Sequence, residues 1–194
     1  MIGVSKMSEI KKCGTFNLLP GKPVPYGATV IPNQGVNFSV YSLNAISCEL
    51  VLYRKSEKEP FAIIPFPNEY KVGNVFNMIV QNLDYKNIEY GYRMDGPRSR
   101  KEGHWFDPTK VLLDPYAKIV GGRDVWGKEP DWSDPYQHRG QILPDDCYDW
   151  DGDRQLNIPI EELIIYEMHV RGFTKHPSSN TRNPGTYAGI IEKI

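Results

Sequence analysis

No apolar run in this 194-residue chain approaches the ~18 residues that a membrane-spanning helix requires. That excludes a spanning helix. Charge of one sign is also missing. The 23 basic and 24 acidic side chains are well mixed and leave a net charge of -1, so no basic stripe is available for a phosphate backbone and nucleic acid is excluded as a partner. Cysteine is scarce: Cys13, Cys48 and Cys147 are odd in number and far apart. They fit neither a disulfide framework nor a zinc site and suit free thiols in a reducing compartment. The four histidines, His104, His138, His169 and His176, lack ligand spacing, and no GxGxxG or P-loop phosphate motif occurs. No metal and no cofactor are therefore expected. Met1 to Lys12 carries lysines but no apolar core with a small-residue cleavage site. No signal peptide is expected, which favours the cytoplasm.

What is present is a series of short strand-like runs. Val36-Asn37-Phe38-Ser39-Val40-Tyr41 alternates apolar with polar, the period of a half-buried strand. Cys48 to Tyr53, Phe61 to Ile64, Val75 to Val80 and Tyr90 to Met94 complete the set. Runs of ~5 residues, spaced by turn residues and without a convincing helix between them, argue an antiparallel β-sandwich. Before them, Pro20, Gly21, Pro23, Pro25 and Gly27 make a turn-rich approach. Gly96 to Pro159 is different. It is rich in Pro, Asp and Gly and holds all four tryptophans, Trp105, Trp126, Trp132 and Trp150. Such bulk is foreign to a disordered linker and suggests ordered loops with buried rings.

Leu163-Ile164-Ile165-Tyr166-Glu167-Met168-His169-Val170 reads as a buried strand. It is apolar at its start and polar, at Glu167 and His169, toward its carboxyl end. A strand of a closed parallel barrel, covered on both faces, shows this pattern where it opens into an active-site mouth. An edge strand with one wet face would read similarly. A helix is expected to begin at Gly185-Thr186-Tyr187, and Ile194 falls inside it. The strand, loop and helix thus read as the first piece of a repeating β/α architecture.

Three blocks carry a family resemblance. One is Leu19-Pro20-Gly21 with Pro25-Tyr26-Gly27-Ala28-Thr29 and Gly35-Val36-Asn37-Phe38. The next is Tyr90-Gly91-Tyr92-Arg93-Met94-Asp95-Gly96-Pro97, leading to Phe106-Asp107-Pro108 and Leu112-Leu113-Asp114-Pro115-Tyr116-Ala117-Lys118. The last runs from Tyr166 to Thr174 and on to Pro184-Gly185-Thr186-Tyr187. Together they resemble the amino-terminal part of isoamylase-type glycogen debranching enzymes of glycoside hydrolase family 13. The resemblance implies an immunoglobulin-like sandwich, a family 48 carbohydrate-binding type of module, in front of a (β/α)8 catalytic barrel. It also implies hydrolysis of α-1,6 branch linkages, with α-glucan (glycogen, amylopectin or limit dextrin) as partner. The expected fold is therefore mainly β: an immunoglobulin-like antiparallel β-sandwich, an irregular connector and the first β/α unit of a truncated (β/α)8 barrel. The expected divisions are a flexible tail at 1–14, the sandwich at 15–122, a Trp/Asp-rich connector at 123–160 and the start of the barrel at 161–194. The alternative is a stand-alone α-glucan-binding or structural β-sandwich module.

The resemblance implies a retaining mechanism, with an Asp nucleophile, a Glu acid/base and a second stabilising Asp on later barrel strands. No position of this sequence corresponds to them, so no catalytic residue is assigned. Retention needs two carboxyl groups ~5–5.5 Å apart, held by a barrel of ~250 residues. The 194 residues by themselves are therefore expected to be inactive as a hydrolase. Candidate substrate-binding residues are Trp105, Tyr92, Glu167 and His169. Aromatic faces stack on the apolar C–H faces of sugars, whereas His169 could serve a sugar hydroxyl or a local structural bond, and Glu167 could orient Arg171. Asp149-Trp150-Asp151-Gly152-Asp153 superficially resembles a calcium loop, but Arg154 stands sixth and Ile160 twelfth, where Gly and Glu belong. A turn is expected there. Asp107-Pro108 and Asp114-Pro115 are expected at turns as well.

Overall fold

The computed structural model describes residues 11–122, 129, 138–143 and 149–194. Trp126, Trp132 and Cys147 lie outside them. The chain divides into two compact units between Cys147 and Tyr148.

The first unit is built from β1 (Lys11–Cys13), β2 (Phe16–Pro20), β3 (Gly27–Ile31), β4 (Gly35–Tyr41), β5 (Ser47–Arg54), β6 (Pro60–Pro65), β7 (Val75–Val80), β8 (Ile88–Asp95), β9 (Ile119–Gly121) and β10 (Arg139–Gln141). They form two five-stranded sheets, ordered β1-β2-β7-β4-β3 and β6-β5-β8-β10-β9. The strand pairs are antiparallel. All five runs read as strands from sequence lie inside β4 to β8. The expectation of a mainly β, antiparallel architecture holds.

Strand period explains the core. Val36, Phe38 and Val40 of β4 stand opposite Val80, Met78 and Phe76 of β7. Cys48, Leu50 and Leu52 of β5 stand opposite Met94, Tyr92 and Tyr90 of β8. Both sets are buried in one shared cluster. Phe38 of one sheet meets Tyr90 of the other edge-on, with ring centroids 5.3 Å apart. Each such side chain contributes about 1.5–3 kcal/mol of burial. Burial also pushes the Cys48 thiol pKa up, with the Glu49 charge adding to it.

β4 departs from the half-buried expectation, because its polar residues are buried too. Asn37 is 1% and Ser39 0% exposed. The turn-rich segment after β2 lies against this face and supplies the partners. Lys22 N donates to Asn37 Oδ1 at 2.8 Å, and Asn37 Nδ2 donates to Lys22 O at 3.0 Å. Ser39 Oγ donates to Pro23 O at 2.6 Å. The carboxamide thus acts as a short strand partner, so polar groups are tolerated there without loss.

On the outer face of the second sheet, Val51 and Tyr53 pack with Val111. A Cβ on Gly91 would lie 2.5 Å from Val111 Cγ1, so only glycine lets this segment approach. Leu112 pairs with Tyr92 in both directions, at 2.9 and 2.7 Å. β10 follows along the same edge of β8, and its Arg139 is buried beside Glu89, 3.5 Å away. The Arg139 guanidinium lies 3.7 Å from the Tyr53 ring centroid, and Gln141 Nε2 donates to Glu89 Oε1 at 3.2 Å. A paired, hydrogen-bonded arginine is the tolerable form of a buried charge.

The second unit holds α1 (Val170–Lys175) and α2 (Tyr187–Ile191). Helix α2 begins where expected, with Thr186 Oγ1 accepting from Gly189 N at 3.2 Å as its cap. Thr174, fully buried, accepts from Gly185 N at 2.8 Å through its hydroxyl. The expected strand at Leu163–Val170 is not formed. Residues 163–169 belong to no helix or strand, and Val170 opens α1. A lone extended segment has no ladder partners, and strand structure requires them. Ile164, Ile165 and Tyr166 are accordingly 97%, 83% and 76% exposed. The observed fold therefore does not confirm the first β/α unit of a barrel. Among the described residues, no helix is long and apolar enough to cross a membrane.

Candidate functional site

The sandwich unit carries an open cleft of about 410 Å³. One wall is the loop after β4, through Ser42, Leu43 and Asn44, and the other is the segment from Gly103 to Lys110. Met94, at the end of β8, and Leu112 contribute to the floor. Local sequence explains the second wall. Ser99 and His104 exchange backbone hydrogen bonds, at 3.1 and 3.0 Å, around a short 3-10 turn. Phe106 then turns inward and packs against the core, while its neighbour Trp105 turns outward and stays 60% exposed. The Arg100 guanidinium lies 5.0 Å from the Trp105 ring centroid, a cation–π contact that favours one ring orientation. Leu43, also 60% exposed, adds a second apolar surface.

Polar groups flank these surfaces. Asp107 Oδ1 accepts from Thr109 Oγ1 at 2.5 Å and from Thr109 N at 3.0 Å. Those bonds hold its carboxyl below the usual range, so it is anionic at neutral pH. Lys110, His104 and Asn44 supply further polar groups. An exposed indole with neighbouring hydrogen-bonding groups can stack on an apolar ligand face and fix its hydroxyls. Sequence reading found Trp105 but missed Leu43, Asn44 and Lys110. No motif marks them, because loop closure alone brings them to Trp105.

The other candidates lie elsewhere. Tyr92 is 1% exposed, so its ring has no open face for stacking. Its neighbour Tyr90 is equally buried. Their hydroxyls donate to Asp114 Oδ2 at 2.8 Å from Tyr90 and 3.2 Å from Tyr92. Asp114 Oδ1 accepts from Tyr116 N at 2.8 Å, closing the expected turn. Burial raises the Asp114 pKa, its hydrogen bonds opposing. Burial, with the Asp114 charge, raises both tyrosines. The cluster is structural: it pins the 107–118 segment to β8.

Glu167 and His169 are exposed in the second unit. His169 Nδ1 accepts from Gly172 N at 3.0 Å and caps α1. Trp105 and Trp150 are 60% and 65% exposed, so the expectation of buried rings fails for both. The Asp149–Asp153 run forms a turn in which Asp149 Oδ1 accepts from Asp151 N at 2.9 Å. Among the described residues no three His, Cys, Asp or Glu side chains gather in a way that could hold a metal ion.

Part of the chain is similar to a known family. Residues 25–117 match carbohydrate-binding module 48, the isoamylase N-terminal domain. Together with the relatives that follow, this match bears out the resemblance read from the three motif blocks. The matched span contains every residue that lines the Trp105 cleft. Over 189 residues the chain is 40% identical to isoamylase 1, chloroplastic, of Arabidopsis thaliana, covering 94% of this chain and 24% of that protein. It is 35% identical over 182 residues to a glycogen debranching enzyme of Yersinia enterocolitica, covering 89% of this chain and 27% of that one. The chain therefore spans about a quarter of the length of these relatives. Its fold resembles that of a pullulanase from Paenibacillus barengoltzii solved with maltohexaose and alpha-cyclodextrin, at a TM-score of 0.63 and 22% identity. That likeness covers 90% of this chain and 24% of the pullulanase. The Arabidopsis relative is chloroplastic by name, so it lends no support to a cytoplasmic location.

Proposed function

We propose that this chain is the N-terminal portion of an isoamylase-type debranching enzyme that hydrolyses α-1,6 branch linkages in glycogen or amylopectin. On this reading the module is an immunoglobulin-like sandwich that contacts α-glucan at the Trp105 cleft. The observation that carries it is the exposed Trp105 ring, set beside Asn44, Asp107 and Lys110 in a module of this family. A sugar ring laid on the indole places its hydroxyls toward those polar groups, and Leu43 covers its apolar edge.

Native electrophoresis of the 194-residue chain in gels containing glycogen tests the contact. Retardation is expected, and Trp105→Ala should weaken it roughly tenfold, the equivalent of ~1.4 kcal/mol. Unretarded wild-type migration would refute the contact and leave a sandwich without a sugar ligand. The same 194 residues are expected to release no linear oligosaccharide from a branched glucan. A clear release would contradict the assignment of hydrolysis to residues beyond these.

A further inference from the structure

A second cleft, of about 320 Å³, lies at the opposite end of β4 from the Trp105 cleft. β4 is seven residues long, so at ~3.3 Å per residue the two clefts are separated by roughly 20 Å. The second cleft is framed by the β3–β4 turn and the loop after β7. Four carboxamides line it: Asn33 and Gln34 from the turn, Gln81 and Asn82 from the loop. Tyr85 completes the wall, half-buried and packed against the core. No charged side chain is among the lining residues.

Backbone geometry explains two of these residues only in part. Asn33 and Asn82 have φ of 61° and 59°, a left-handed conformation that asparagine tolerates. Gln34 and Gln81 have no such reason to be there. Their main-chain amides are already used, Gln34 N donating to Ile31 O at 3.0 Å and Gln81 N to Asn17 O at 2.9 Å. Among the described residues, none of the four carboxamides has a side-chain hydrogen bond within the protein, and neither has the Tyr85 hydroxyl. A carboxamide offers a donor and an acceptor side by side, which matches the vicinal hydroxyls of a sugar. A neutral lining costs such a ligand no charge desolvation, whereas an anion or cation would find no counter-charge.

We propose that this amide-lined cleft is a second binding site for a neutral oligosaccharide, an α-glucan chain, separate from the Trp105 cleft. The proposal rests on the α-glucan reading of the module. Two sites roughly 20 Å apart on one rigid strand can hold two outer chains of a branched glucan at once. The second contact is then intramolecular and strengthens the first without any new contact surface.

The test is a titration of the Trp105→Ala chain with maltohexaose, followed by the side-chain amide resonances of Asn33, Gln34, Gln81 and Asn82. Saturable shifts at these amides are expected. In that background Gln34→Ala with Gln81→Ala should weaken them about fivefold or more, the effect of losing a neutral hydrogen bond or two. Tyr85→Phe, which keeps the ring packed, should weaken them by a smaller factor. If Trp105→Ala abolishes every shift that the wild-type chain shows, the second site is refuted and the Trp105 site stands. If the wild-type chain shifts nowhere, the α-glucan reading itself falls. Equal shifts with cellotetraose would overturn the α-glucan identity of the ligand.

Discussion

Val75-Phe76-Asn77-Met78-Ile79-Val80 and Leu163-Ile164-Ile165-Tyr166-Glu167-Met168 are close in apolar content. Their fates differ. The first is β7, flanked by β2 and β4, with Phe76, Met78 and Val80 fully buried. The second pairs with nothing among the described residues and leaves Ile164 97% exposed. Composition thus gives a segment its capacity to be a strand, and neighbours decide whether it becomes one. The sandwich unit supplies its own neighbours. The second unit is held instead by local devices: the His169 cap of α1, the buried Thr174 hydroxyl, and the Glu192 carboxylate accepting from Arg182 N at 3.1 Å.

The contrast should be largest in hydrogen exchange. Amides in the middle of β8 are expected to exchange at least ~10³-fold more slowly than unfolded chain, following global unfolding, and those of Ile164 to Glu167 at nearly the unfolded rate. Strong protection at Ile164 in the monomeric protein would end the comparison. Core truncation comes next. Phe38→Ala removes a fully buried ring that meets Tyr90 and should cost about 3–5 kcal/mol in denaturant unfolding.

The Asp114 cluster sharpens the comparison electrostatically. Asp114→Ala leaves two buried tyrosine hydroxyls without their acceptor and should cost about 2–4 kcal/mol. Asp114→Asn tests the charge. Because burial raises the Asp114 pKa above its ordinary 3.8, the folded protein holds this proton more tightly than the unfolded chain. The stability it contributes is therefore present below pH 3.8 and is lost as pH rises through the raised value. Wild type should lose stability relative to Asp114→Asn across that window, and a constant difference would contradict the buried carboxylate. The smallest effect is expected at Ile164→Ser, within ~0.5 kcal/mol. A loss comparable to that of Phe38→Ala would mean that Ile164 is packed in solution.

The long, apolar, alternating strands were legible from residue order, and so was the Thr186 start of α2. β1, β2, β3, β9 and β10 were not. Lys11-Lys12-Cys13 and Arg139-Gly140-Gln141 carry no apolar period, and they are strands because β2 and β8 offer them an edge. At the candidate site, Trp105 stood out as an aromatic in irregular chain. Tyr92 stood out equally, yet the register of β8 turns it into the core.

Sequence by itself determined the mainly β antiparallel architecture, the inward faces of the central strands and the family resemblance, because side-chain alternation and motif order are properties of the chain. Only the tertiary structure decided which aromatic meets solvent, why Asn37 and Ser39 can be buried, and that 163–169 stays unpaired. Those outcomes depend on partners supplied by residues distant in sequence, and hydrogen bonding and burial are settled between segments rather than within one.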